Sequence, residues 1–190
     1  MINEHSYKSI GQLPYCCVPA CITMIMDRRK IKHESQEKIG YSLGLIVPKE
    51  KKSLFRKVRT GKRPNAGYGT RIDIPKYSIN HYLKKNKILL KEEYHTVDKT
   101  KSVESFIKNN LRENNDIMVC FNNKRLFGTG DYGHVCLITG AGNSTINVID
   151  PSKNSPKTRK IKIYRLIDAI KHHGIKNRAG FWVITREQNS

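Results

Sequence analysis

No stretch of this chain approaches the roughly 20 consecutive apolar residues that a helical membrane span requires, so a spanning helix is not expected. The opening "MINEHSYKSIGQLPY" lacks the basic-then-apolar layout of a secretory signal. A soluble, cytoplasmic protein is expected, with leaderless export or delivery as an effector as the other routes. Acidic residues are scarce: 16 Asp and Glu stand against 36 Lys and Arg, for a net charge of +20. That imbalance predicts an anionic partner, nucleic acid or acidic protein, or an anionic membrane surface; the plainer account is a solvated basic face. No nucleic-acid-binding motif accompanies it, and the basic stretches hold few interleaved aromatics. Phosphate-binding glycine loops are missing too, since "GTGDYG" has no strand-turn-helix setting. The five cysteines are odd in number and irregularly spaced, which does not read as a disulfide framework and favours free thiols in a reducing compartment. There is no internal repeat, and the length suits a single domain over residues 1–190.

What the chain does contain is ordered, with helices first and strands after. Residues 17–30 are apolar nearly all round, the mark of a helix inside a core, and Pro19 fits its first turn. A weaker helix is predicted over 34–43. Residues 48–70 carry eight Lys/Arg between Lys49 and Arg63 and read as a mobile basic loop with a short helix. "IPKYSINHYLKKN" has near-helical spacing, and "ILLKEEYHTV" reads as a strand. Asp98 or Thr100 is the expected cap of a helix through Val103, Phe106, Ile107 and Leu111. "DIMVCFN", "HVCLITGA", "TINVID", "RKIKIY" and "GFWVITR" are β-rich runs between turn residues, with "AGNS" as a hairpin turn. "YRLIDAIKHHG" adds one amphipathic helix ending on glycine. Helices followed by an antiparallel sheet make an α+β fold.

A thiol becomes a useful nucleophile at a helix N-terminus beside an imidazole. Cys17 stands where the first helix starts. His134 opens a strand after a glycine, and Asp150 ends the next strand. Sixteen residues separate the two, which suits two strands and a tight turn and sets both at one end of the sheet. Gln12 can offer its amide to a developing oxyanion. The plainer accounts are packing for Cys21, Cys120 and Cys136, a turn for Asp150-Pro151, and a solvated loop residue for Gln12. His5, His33, His81, His95, His172 and His173 read as surface residues without partners. A zinc set of Cys17, Cys21, His134 and Cys136 has the ligand types but matches no structural-zinc spacing.

Gln12, Cys17-x-x-Ala20-Cys21-Ile22-x-Met24-Ile25, Gly133-His134-Val135 and Val148-Ile149-Asp150-Pro151, in that order, resemble the papain-like cysteine peptidases. The likeness points to the leader peptidases that mature bacteriocins at double-glycine sites, and to their stand-alone relatives. It implies a nucleophile helix packed on a C-terminal antiparallel sheet and a peptide or protein substrate. Cys17 would be the nucleophile, His134 the base, Asp150 the orienting group and Gln12 the oxyanion donor, with no cofactor. Two departures stand out: Val18 follows the cysteine where the family has glycine, and the Gln-to-Cys interval of five is one shorter than is common there. A valine beside the oxyanion site predicts altered access or a different acyl-transfer outcome. Aligning Ala20 and Met24 selects Cys17, with Cys16 second. Lys51, Lys52, Arg56 and Lys57 are expected to rim the cleft and bind an anionic substrate. The alternatives are an effector or toxin of the same fold acting as acyltransferase or deamidase, and a non-catalytic nucleic-acid-binding protein.

Overall fold

A computed structural model of the chain describes residues 4–62, 67–152 and 157–187. Arg63 of the basic block and residues 153–156 of the second basic stretch lie outside them. The first helix, α1, is Cys17–Arg28, and every residue from Val18 to Met26 in it is buried. Pro19 sits in its first turn, where amides have no helical acceptor and a missing N–H costs nothing. At the other end Arg28 and Arg29 reach the buried carboxylate of Asp116 at 2.7 and 2.5 Å. The hydroxyl of Tyr7 donates to the same group at 2.6 Å.

α2 (Gln36–Ser42) is capped by Ser35. The basic block that follows is not the loose loop its charge suggests. β1 (Ile46–Val47) pairs in parallel with β2 (Arg59–Thr60), and a 3-10 turn covers Lys49–Leu54 between them. The reason is apolar: Phe55 and Val58 pack with Cys16, Leu45 and Val47 in a small core. α3 (Ile79–Lys85) and β3 (Leu90–His95) fall where expected. α4 (Val103–Arg112) is capped by Ser102, not Asp98 or Thr100, because the chain first makes a 3-10 turn over Val97–Lys99. β4 (Asp116–Asn122) runs into a short unanticipated helix, α5 (Asn123–Phe127), capped by the Asn122 side chain. Then come β5 (Gly133–Gly142), β6 (Thr145–Asp150), β7 (Lys157–Lys162), α6 (Ile163–His173) and β8 (Gly180–Arg186).

The six long strands form one antiparallel sheet in the order β3-β8-β4-β5-β6-β7. On one face, residues of α1, α2 and α3 pack with Met118, Leu137, Ile149 and Trp182. On the other, residues of α4 and α6 pack with Val119, Phe121, Val148 and Phe181. β4 is buried along its whole length, as a central strand covered on both faces must be.

The β5–β6 hairpin positions the site. Asn143 and Ser144 both have positive φ, 50° and 58°, the requirement of the two-residue turn that matches strand twist. The register shifts by one between Ile138 and Gly140. A one-residue slip reverses which face each side chain takes, so this bulge selects the face on which His134 and Asp150 meet. From Leu137 opposite Ile149, one more step sets Cys136 against Asp150, with His134 two residues earlier on the same face. Among the described residues no helix is long and apolar enough to cross a membrane.

Candidate active site

Tyr15 precedes α1 in a left-handed conformation, φ 62°, which bulky residues rarely adopt. It closes a tight turn in which the Cys16 N–H donates to the Leu13 carbonyl at 3.0 Å. This turn sends the two adjacent cysteines in different directions. Cys16 is fully buried with Leu45, Val47 and Phe55, and burial pushes its thiol far above the ordinary range. Cys17, the first residue of α1, is half-buried at the edge of the main core. Val18 points into that core at 4% exposure. The helix turns the valine side chain inward, away from solvent.

The His134 ring is buried, and its Nε2 lies 2.8 Å from Asp150 Oδ1. Phe121 meets the ring edge-on at 5.8 Å. Asp150 is a carboxylate that can only accept, so Nε2 carries a proton whether the ring is neutral or charged, and Nδ1 is the nitrogen that gains or loses one. Burial opposes a charge on this imidazole, but Cys136, Asp150 and Cys17 outweigh it and hold the ring well above its ordinary pKa. Burial also works against the Asp150 anion, yet hydrogen bonds from His134 and Ser152 bring its pKa down to about 2. Ser152 donates its backbone N–H to Oδ1 at 2.9 Å and its hydroxyl to the same oxygen. Arg159 Nε stands 3.1 Å from Oδ2, close enough to pair but without hydrogen-bond geometry.

Gln12 joins the group through its backbone, donating to the Pro151 carbonyl at 2.7 Å. Its side-chain Oε1 is buried without a hydrogen-bond partner among the described residues. Gln36 of α2 clamps the flanking segment: Oε1 accepts from the Leu13 N–H at 2.5 Å, and Nε2 donates to the Gly11 carbonyl at 3.2 Å. Lys51, Lys52, Arg56 and Lys57 are exposed. Their segment borders the Tyr15 turn, since Phe55 packs with Cys16 and Glu50 acts on the Tyr15 hydroxyl.

Four side chains at this site carried little warning in the sequence. Cys136 was legible as the second residue after His134 on a strand, hence on the same face. Ser152 follows Asp-Pro in a turn pattern. Gln36 and Arg159 have no local signal at all. Several histidines expected to lack partners have them. His5 bonds the Leu111 carbonyl, His33 pairs with Asp27 at 2.9 Å, and the His95 ring meets Phe106 at a tilt, 5.1 Å between centroids. His173 occupies the space where a Cβ on Gly133 would lie, 2.4 Å away.

His134, Cys136 and Asp150 place three possible metal donors within 4.8 Å of one another. His134 Nε2 and Asp150 Oδ1 are already bonded to each other there. Cys21, part of the zinc set considered from sequence, instead directs its thiol to the Val135 carbonyl at 3.6 Å. The concavities lined by Tyr94, His95 and Phe106, and by Arg29, Glu93 and Arg186, include none of Gln12, Cys17, His134 or Asp150.

No family profile matches this sequence, and no curated protein does. Solved structures do. A crystal structure provisionally described as a C39-like peptidase of Bacillus anthracis superposes with a TM-score of 0.59 at 16% identity, covering 95% of this chain and 96% of that one. A double-glycine motif protease from an AMS/PCAT transporter, solved with its leader peptide, superposes with a TM-score of 0.49 at 14% identity over 97% and 94% of the two chains. The first likeness runs nearly end to end in both proteins, and the chain has the fold of the C39-like, papain-type peptidases.

Proposed function

We propose that the chain is a cysteine hydrolase acting on an amide or ester bond, with a peptide or protein as substrate. The observation that carries this reading is the buried His134–Asp150 bond of 2.8 Å, formed where the thiol of Cys17 acts on the same ring. Nδ1 of His134 takes the thiol proton, and the sulfur attacks the carbonyl carbon. The Gln12 side-chain amide and the backbone N–H of Cys17 receive the oxyanion. His134 then protonates the leaving amine or alkoxide as the C–N or C–O bond breaks, leaving an acyl thioester on Cys17. Water, deprotonated by the same imidazole, releases the acid and restores the thiol. Asp150 keeps the ring in the tautomer with Nε2–H throughout. The helix start lends partial positive charge to the thiolate. Lys51, Lys52, Arg56 and Lys57 steer an anionic substrate toward the cleft.

The test is residue-resolved mass spectrometry after a thiol-directed acyl probe and, separately, iodoacetamide at low stoichiometry and neutral pH. Cys17 should carry both adducts ahead of the other four cysteines, and His134→Ala should slow the acyl adduct. Labelling of Cys16 or Cys120 with Cys17 untouched would remove the assignment.

A further inference from the structure

The strands and loops around α2 carry a second built feature, made of residues far apart in sequence. Tyr41 of α2 and Tyr77, which ends a 3-10 turn at Pro75–Tyr77, hold four cations against their rings. Lys57 Nζ lies 4.7 Å and Arg59 Cζ 4.0 Å from the Tyr41 centroid. Arg59, Arg71 and Lys76 lie 5.1, 4.4 and 5.1 Å from that of Tyr77. Arg59 is thus shared between the rings.

Two of the four are anchored as well as stacked. Arg59 Nη1 donates to the Tyr41 carbonyl at 2.6 Å and Arg71 Nε to the Gly44 carbonyl at 3.0 Å. The backbone is shaped around them. Gly44 has φ 71°, and a Cβ there would lie 2.7 Å from the Tyr77 ring and 3.0 Å from Arg71 Nε. Among the described residues no carboxylate pairs with any of the four side chains. Glu37, close by, accepts the backbone N–H of Lys57. Desolvation acts upward on the Tyr77 phenol, yet Arg59, Arg71 and Lys76 bring it below its ordinary value.

We propose that this array is a phosphate-contacting surface for single-stranded nucleic acid. Four like charges held together, with no carboxylate ion-paired to them among the described residues, repel one another, and a polyanion relieves that cost. Guanidinium groups fixed through one N–H and a ring face keep their remaining N–H edges for bidentate contact with phosphate oxygens. Cations already lie on the tyrosine rings, so the rings organise charge and do not stack bases; contact is to the backbone and independent of sequence. A phosphodiester strand delivers its charges at every residue along one chain. An acidic polypeptide must supply an uninterrupted run of carboxylates to do the same. The proposal does not depend on the chemistry at Cys17.

The measurement is fluorescence anisotropy of a dye-labelled oligothymidylate titrated with the full-length protein at several salt concentrations. Wild type should bind, with log affinity falling linearly against log salt. Arg59→Ala with Arg71→Ala should weaken binding by about tenfold or more and reduce the salt slope by roughly 1.4, about 0.7 per phosphate lost. Lys57→Ala with Lys76→Ala removes the exposed ammonium groups without touching the anchored guanidinium groups, and should reduce the slope similarly. Thermal melting checks that both variants fold. Cys17→Ala should bind as wild type does. Lys160→Ala with Lys176→Ala, an equal loss of charge elsewhere, should change little. The proposal is overturned if wild type does not bind, or if the distant pair costs as much as either tyrosine-bound pair. It is also overturned if polyglutamate competes as well as the oligonucleotide at equal charge, which would point to an acidic protein.

Discussion

Asp150 is 1% exposed and still an anion, with a pKa near 2. Burial alone would raise it; the hydrogen bonds from His134 and Ser152 more than offset that. A carboxyl depressed in the folded state contributes stability that is fully present above its unfolded value of about 3.9. That stability is lost as pH falls toward the folded value. The expected contribution at neutral pH is about 2 kcal/mol. Denaturant melts of wild type between about pH 4 and pH 2 should therefore show a steeper fall than melts of Asp150→Asn. Parallel curves would mean that the carboxylate is not ionised and bonded as described. The His134 ring has the opposite sign: its raised pKa stabilises below the unfolded value near 6.5, and that part fades as pH climbs through the folded value.

At the scale of the element, α1 is fastened at its far end by one carboxylate. Asp116 has no exposure and is met by Arg28, Arg29 and Tyr7. The ion pairs tie the end of α1 to the start of β4, while Tyr7 brings in the N-terminal segment. Removing one member of a buried ionic group leaves its partners uncompensated, at a cost of about 3–5 kcal/mol. The two arginines are near enough to the surface to regain some water, so Asp116→Ala should cost about 3 kcal/mol, at the low end of that range. Chemical denaturation would read this directly. A loss below about 1 kcal/mol would rank the cluster with ordinary surface pairs. Since Cys17 opens the same helix, the variant should also label less selectively with iodoacetamide.

For the whole molecule, the question is whether a charge of +20 does more than keep the surface wet. Lys51, Lys52, Arg56 and Lys57 are exposed on the segment beside the Tyr15 turn, and their field acts over about 8 Å at physiological ionic strength. Replacing all four by Glu should slow modification of Cys17 by a dianionic aromatic disulfide several-fold at low salt. Raising the salt should narrow the gap between the variant and wild type. Iodoacetamide, which is neutral, should react at the wild-type rate. Equal effects on both reagents, or none on either, would reduce the rim to a solvated face.

Local chemistry made several features readable from sequence: the apolar first helix, the β-rich second half and the Asn-Ser hairpin turn; the order of Gln12, Cys17, His134 and Asp150 was legible through a family resemblance. The first three depend on residues within one helix, one strand or one hairpin, where periodicity and turn preference act directly. The full burial of Cys16 and the partial exposure of Cys17 follow a turn closed by a left-handed Tyr15 that no propensity favours. The face shared by His134 and Asp150 depended on a single bulge. The basic block became ordered because Phe55 and Val58 found a core built by residues up to forty-odd positions away. Gln36, Arg159 and the stack of Arg59 between Tyr41 and Tyr77 have no sequence signature, because their partners are neighbours only after the chain has packed. Sequence by itself determined which residue types were available and which short segments would be helix or strand. The tertiary structure alone decided which of those residues would meet, since contact between distant segments depends on register, burial and close packing that no single segment encodes.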